Sequence, residues 1–140
     1  MRRVLAAFLL FLVPALGSAQ APVAAADAKA VRETIEAQLD AFRKGNAKLA
    51  YSYAAPGIKE MYDNPDEFME MVRSFYKVVF RPASVTFQPP VMVGRDLVQP
   101  VRLTDGEGRA WMAYYPMVRG PGGRWLINGC RLSRLGGQET

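Results

Sequence analysis

Apolar residues recur at helical spacing from Asp27 onward. Val31, Ile35, Leu39 and Phe42 are separated by four, four and three positions, which places them on one face of a helix. Asp27 reads as its N-cap and Gly45 as the residue just past its end. Lys29, Arg32, Glu33, Glu36, Asp40 and Arg43 fill the opposite face, with Lys29–Glu33 and Arg32–Glu36 at i,i+4 spacing. Paired carboxylates on a helix can serve acid–base chemistry, but this pattern is that of a solvated face. Asn46 is expected to cap a second helix running to about Ala54, which Pro56-Gly57 ends, and Ile58 to Tyr62 adds at most a turn. Asn64-Pro65-Asp66-Glu67 then starts a third helix: an Asn cap, Pro at the first helical position, and acids at the positive helix end. Its predicted stripe is Phe68, Met71, Val72, Phe75 and Val79, and it stops before Pro82. Met69 and Met71 read as core filler rather than a metal or haem box.

Beyond Pro82 the period changes to two. Val85, Phe87, Val91 and Val93 predict one strand with an edge or bulge at Pro89-Pro90, and Gly94-Arg95-Asp96 a turn. Leu97 to Leu103 is the second strand, Asp105 to Gly108 a hairpin turn, and Arg109 to Arg119 the third strand. A turn at Gly120-Pro121-Gly122-Gly123 leads to a last strand from Arg124 to Leu135. Pro100 and Pro116 predict local breaks or unpaired positions inside their strands. In the last strand, a bulge at Asn128-Gly129 would bring Trp125, Ile127, Cys130 and Leu132 onto one core face and make Cys130 inert. Helices first and an antiparallel meander after predict an α+β fold, with N-terminal helices packed on a curved four-stranded sheet.

Composition narrows the chemistry. The 140 residues include no His and one Cys. That excludes the usual Ser-His or Cys-His triad, His-ligated zinc or haem, a CxxC pair and an internal disulfide. No metal and no redox cofactor is expected. At the N-terminus, Arg2 and Arg3 precede the apolar run Val4–Leu16 and the small residues Gly17, Ser18 and Ala19, the order of a secretory signal peptide. The run is short of the roughly 20 residues that span a bilayer. Cleavage is placed after Ala19; cleavage after Ala21 would leave Pro22 at the first mature position. Residues 20–26 read as a flexible lead-in, 27–135 as one domain and 136–140 as a tail. The product is expected in the periplasm or outside the cell. Without Arg2 and Arg3 the chain keeps 16 basic and 13 acidic residues, a surplus too small for a nucleic-acid footprint.

Several segments together carry a likeness. Val31 to Ala55 (VRETIEAQLDAFRKGNAKLAYSYAA) resembles the opening helix pair of the nuclear-transport-factor-2-like, or cystatin-like, cone fold. NPDEFMEMVR from Asn64, Val79-Phe80-Arg81-Pro82, LVQPVRLTDGEGRAW from Leu97, Tyr115 and GGRWLINGCRL from Gly122 resemble a bacterial exported family catalogued as domain of unknown function 4864. The resemblance spans roughly Ala30 to Ser133. It implies a helical layer against a curved antiparallel sheet, a cone with a pocket at its wide end, and it brings no catalytic residues. The wider superfamily holds both enzymes and binding modules, so the fold alone does not choose between them.

Polar residues on otherwise apolar strands are what a pocket uses to orient a ligand. Gln99 and Arg102 lie on opposite faces by alternation, as do Tyr114 and Tyr115; Gln99 and Tyr115 are placed inward because both lie in the family-like segments. Tyr76 and Arg81, at the end of the third helix, complete the candidate pocket lining. Tyr115 also reads as a core aromatic with its hydroxyl satisfied by backbone, and Arg81 as a cap on helix carbonyls. Arg119, Arg124, Arg131 and Arg134 form a candidate surface patch for anionic headgroups or an acidic partner. An outward row such as Trp111 and Met117 would serve a homodimer. The resulting expectation is a non-catalytic module binding a small apolar or anionic molecule or a protein, with no nucleic acid and no stable membrane span. The alternative is a His-free isomerase- or hydrolase-like enzyme with a Tyr and a carboxylate in the cone.

Overall fold

The computed structural model describes residues 22–136. The expected signal segment, both cleavage positions and residues 137–140 of the expected tail lie outside the described residues.

Helix α1 (Ala25–Arg43) begins two residues before Asp27, so part of the expected lead-in is helical. Its buried face is Val31, Ile35, Gln38, Leu39, Ala41 and Phe42, the predicted stripe plus Ala41 and the polar Gln38. The Lys29–Glu33 and Arg32–Glu36 pairs form on the exposed side. After Gly45, at φ +69°, the Asn46 side chain accepts from the Leu49 N–H and opens α2 (Ala47–Ser52). Pro56 starts a short helix, α3 (Pro56–Lys59), rather than only ending its predecessor. Asn64 caps α4 (Pro65–Phe75) by accepting from the Glu67 N–H at 2.9 Å.

Helix α4 does not run on to Val79. It breaks at Tyr76, and α5 (Lys77–Phe80) follows on a new axis. Aromatic and β-branched residues crowd this junction and hold a helix weakly. The break turns Phe75 outward, 78% exposed, and sends Val78, Val79 and Phe80 into the core. The expectation that Phe75 belongs to the buried stripe is thereby corrected.

The sheet is antiparallel and has four lanes, but six strands rather than four. Central strands β3 (Asp96–Thr104) and β4 (Ala110–Arg119) pair along their length. The outer lane on the β3 side is split into β1 (Ser84–Phe87) and β2 (Val91–Val93); that on the β4 side is split into β5 (Trp125–Ile127) and β6 (Arg131–Arg134). Each split lies opposite a proline, because Gln88 donates to the Pro100 carbonyl and Asn128 to the Pro116 carbonyl. The N–H that each proline lacks would face the same lane. The prolines therefore leave their own strands continuous and break the neighbours.

Pairing shifts by one residue across each split: Phe87 faces Val101 but Val91 faces Val98, and Ile127 faces Met117 but Leu132 faces Ala113. Both are bulges, which sharpen twist and curl the sheet into a half-barrel. The second bulge keeps Trp125, Ile127, Cys130 and Leu132 against the core, as the sequence predicts. The first reverses the expectation for β2, where Met92 turns inward and Val91 and Val93 turn outward. Helix α1 lies in the concavity, its Thr34 hydroxyl 3.3 Å from the Trp125 carbonyl. Tyr53 and Ala55 exchange backbone hydrogen bonds with Ile127, stitching the α2–α3 segment to the β5 edge. No helix among the described residues is long and apolar enough to cross a membrane.

Candidate functional site

The helices and the inner sheet face enclose a cavity of about 230 Å³. Gln38 and Phe42 reach it from α1, Met71 and Val72 from α4, and Tyr76 from the α4–α5 break. Ile58, Met61 and Tyr62, around and after α3, form another wall. The sheet contributes Tyr115, Ile127 and the bulge residues Gly129 and Cys130. Gly129 sits at φ +142°, and a side-chain carbon added there would stand 3.4 Å from the Pro116 ring. The bulge thus needs glycine where it meets the cavity.

Tyr115 is 1% exposed, and its hydroxyl is the one buried side-chain polar atom without a hydrogen-bond partner among the described residues. Burial raises its pKa well above the ordinary phenol value, and the adjoining Cys130 thiol adds to the rise, both by its charge when ionised and as a weak hydrogen-bonding neighbour that stands outside good hydrogen-bond geometry. Burial also pushes the Cys130 thiol up to about 12. Gln38 donates from Nε2 to the Ala50 carbonyl at 3.2 Å, which fixes its amide orientation. Tyr62 packs edge-on against Phe68, and burial, with Tyr76 nearby, raises its pKa.

Of the four residues expected to line a pocket, Tyr76 and Tyr115 do so. Gln99 faces inward, opposite Tyr115, and is 1% exposed, but it does not reach the cavity. Its Nε2 donates to the Gln88 carbonyl at 2.6 Å and the Pro100 carbonyl at 2.8 Å. It supplies the Gln88 carbonyl with the donor that Pro100 lacks, so the expected pocket role is corrected to a brace. Arg81 also lies elsewhere. Its guanidinium rests over the Phe80 ring at 5.5 Å and borders an open surface depression with Lys77, Asp105 and Arg109.

The four arginines do not make one patch. Arg119 pairs with Asp27 at 2.6 Å and stacks on Trp125, while Arg124 lies over Tyr53. Arg131 stacks on Tyr114, five positions back along β4, roughly 17 Å at strand rise. Arg134 faces Trp111, on the other side of the sheet from Arg131. Strand alternation spreads residues that are close in sequence. The expected dimer row fails for the same reason: Met117 is 2% exposed and faces the core, and Trp111 donates to Asp105. The outward residues of β4 are Met112, Tyr114, Pro116 and Val118.

Gln38 and Tyr62 are lining residues that the sequence reading passed over. Gln38 carried a signal, a polar side chain three positions after Ile35 and four before Phe42 on the apolar stripe. Tyr62 carried none, because it follows a helix of only four residues.

Among the described residues, no carboxylate, Lys or Arg lines the cavity. Asp105, the most strongly perturbed carboxyl, is engaged at the β3–β4 turn. Desolvation works against its ionisation, but donors from Trp111, Arg109 and the Arg109 and Glu107 backbones outweigh that and hold it far below the usual range. The cavity is equipped to hold a molecule by apolar contact and a few neutral hydrogen-bonding groups.

No curated protein matches the chain. A family model matches residues 24–140, nearly all of the described structure, and the chain belongs to that family, Domain of unknown function (DUF4864).

Proposed function

We propose that this protein is an exported, non-catalytic module that binds a small molecule in the cavity between the helices and the half-barrel. The observation that carries the reading is the Tyr115 hydroxyl, buried, unpartnered and set in an apolar wall. An unpaired buried hydroxyl costs about 1–3 kcal/mol, and such groups are kept where function uses them. Apolar walls with few polar groups are the usual make-up of ligand sites. The enzyme alternative needs a carboxylate beside a Tyr hydroxyl, and the described residues of the lining supply none. Export to the periplasm rests on the signal-like segment at Arg2–Ala19. Kinship with the nuclear-transport-factor-2-like superfamily belongs to the same proposal, supported by helices seated in a curled antiparallel sheet.

Native mass spectrometry of the full chain expressed in bacteria and purified from the periplasm tests both halves. The expected result is a polypeptide beginning at Gln20 with a small-molecule adduct. Retention of Met1 would overturn export. Bare polypeptide, with no melting shift across a panel of small neutral and anionic compounds, would overturn binding.

A further inference from the structure

We propose that the ligand of this cavity is an uncharged molecule of about ten heavy atoms whose carbonyl or hydroxyl oxygen is received by the Tyr115 hydroxyl. The inference rests on the small-molecule reading above and deepens it by naming the ligand's chemistry.

Charge is the first constraint. Among the described residues, the polar side chains around the cavity are those of Gln38, Tyr62, Tyr76, Tyr115 and Cys130, with no ionic side chain. Burial raises Tyr62 and Tyr115 and pushes Cys130 up to about 12, so these three stay neutral at ordinary pH. A carboxylate or ammonium entering here would lose its hydration and meet no opposite charge. Lys77 and Arg81, the cations of the α5 segment, border the separate surface depression. An anionic ligand finds no partner in the cavity.

Polarity is the second constraint. A pure hydrocarbon would fill the apolar walls but leave the Tyr115 hydroxyl unpaired, whereas an accepting oxygen satisfies it. The hydroxyl has almost no exposed surface and the Cys130 thiol adjoins it, so a ligand oxygen must displace wall atoms such as that thiol to reach it. That thiol is held protonated, so it lines the site without attacking a carbonyl. Size is the third constraint. A space of about 230 Å³ is small for a ligand site, and Met61 and Met71 give its wall some compliance.

The test uses three neutral-pH probes of equal heavy-atom count: acetophenone, benzoate and propylbenzene. Each is titrated into the isotope-labelled mature protein while the Gly129 and Cys130 amide signals are followed. Acetophenone is expected to bind at least about tenfold more tightly than benzoate. Tyr115→Phe is expected to weaken acetophenone about fivefold and leave propylbenzene unchanged. Met71→Trp, which fills the cavity, should abolish binding of all three. Benzoate binding as well as acetophenone would overturn the uncharged class while leaving the binding reading in place. Acetophenone indifferent to Tyr115→Phe would overturn the role given to the hydroxyl. No probe moving either amide signal would overturn this inference and the binding reading together.

Discussion

The two outer lanes of the sheet meet the same problem and resolve it differently. In each, a proline in a central strand withholds a donor, the neighbouring lane breaks, and pairing resumes one residue out of step. In each, the residue before the proline points inward, and these two residues, Gln99 and Tyr115, are direct cross-strand partners. Gln99 turns its amide to the orphaned Gln88 carbonyl and closes its seam. Tyr115 does nothing comparable: Asn128 is an exposed residue that no inner side chain braces, and the phenol hydroxyl is left unpartnered beside a cavity edged by the bulge. One seam is finished by a side chain; the other keeps a buried hydroxyl without a partner on its inner side. Satisfied buried polar groups mark structure, and the unsatisfied one on the same scaffold is the group on which the binding proposal rests.

The comparison can be broken at several points. If the Tyr115 seam is dry and apolar, Cys130 is a poor nucleophile, and at mildly alkaline pH a disulfide reagent should label it at least about a hundredfold more slowly than a free cysteine. The rate should climb about tenfold per pH unit without levelling off until the pH nears the raised pKa. Fast labelling with an ordinary plateau would contradict the burial of that seam. At the closed seam, Gln99→Met keeps length and apolar volume but removes both donors. It should lower unfolding free energy by about 1–3 kcal/mol in urea titration with an unchanged slope. An unaltered midpoint would mean the brace is dispensable. Gly129→Ala forces a side chain into a backbone conformation at φ +142° and should lower stability by about 1 kcal/mol or more.

Much of this was legible in the chain. The α1 stripe, the Asn46 and Asn64 caps, the hairpin turns and the Asn128-Gly129 bulge follow from local chemistry, and the structure has them where expected. The α4 break was not legible, because Phe75 and Val79 keep helical spacing, and the weak helix preference of the residues around Tyr76 does not by itself place a break there; the packing that turns Val78, Val79 and Phe80 inward together does. Nor was the parity of β2. An edge or a bulge was expected at Pro89-Pro90, but the one-residue shift of the bulge that forms, which sends Val91 and Val93 outward, depends on the pairing with β3. At the site, alternation placed Gln99 and Tyr115 correctly on the inner face, yet it could not separate a brace from a cavity wall. That distinction depends on Gln88 and Asn128, distant in sequence, and on whether each has a donor to meet.

The central claim is that Tyr115 carries a hydroxyl that the fold itself does not use. Equilibrium urea unfolding of Tyr115→Phe beside the parent protein, both without added ligand, tests it directly. Removing an unpaired buried hydroxyl while keeping the ring should raise unfolding free energy by about 1 kcal/mol, with an unchanged slope. A loss of stability of that size would show that the hydroxyl holds the fold together, and the distinction between the two seams would fall.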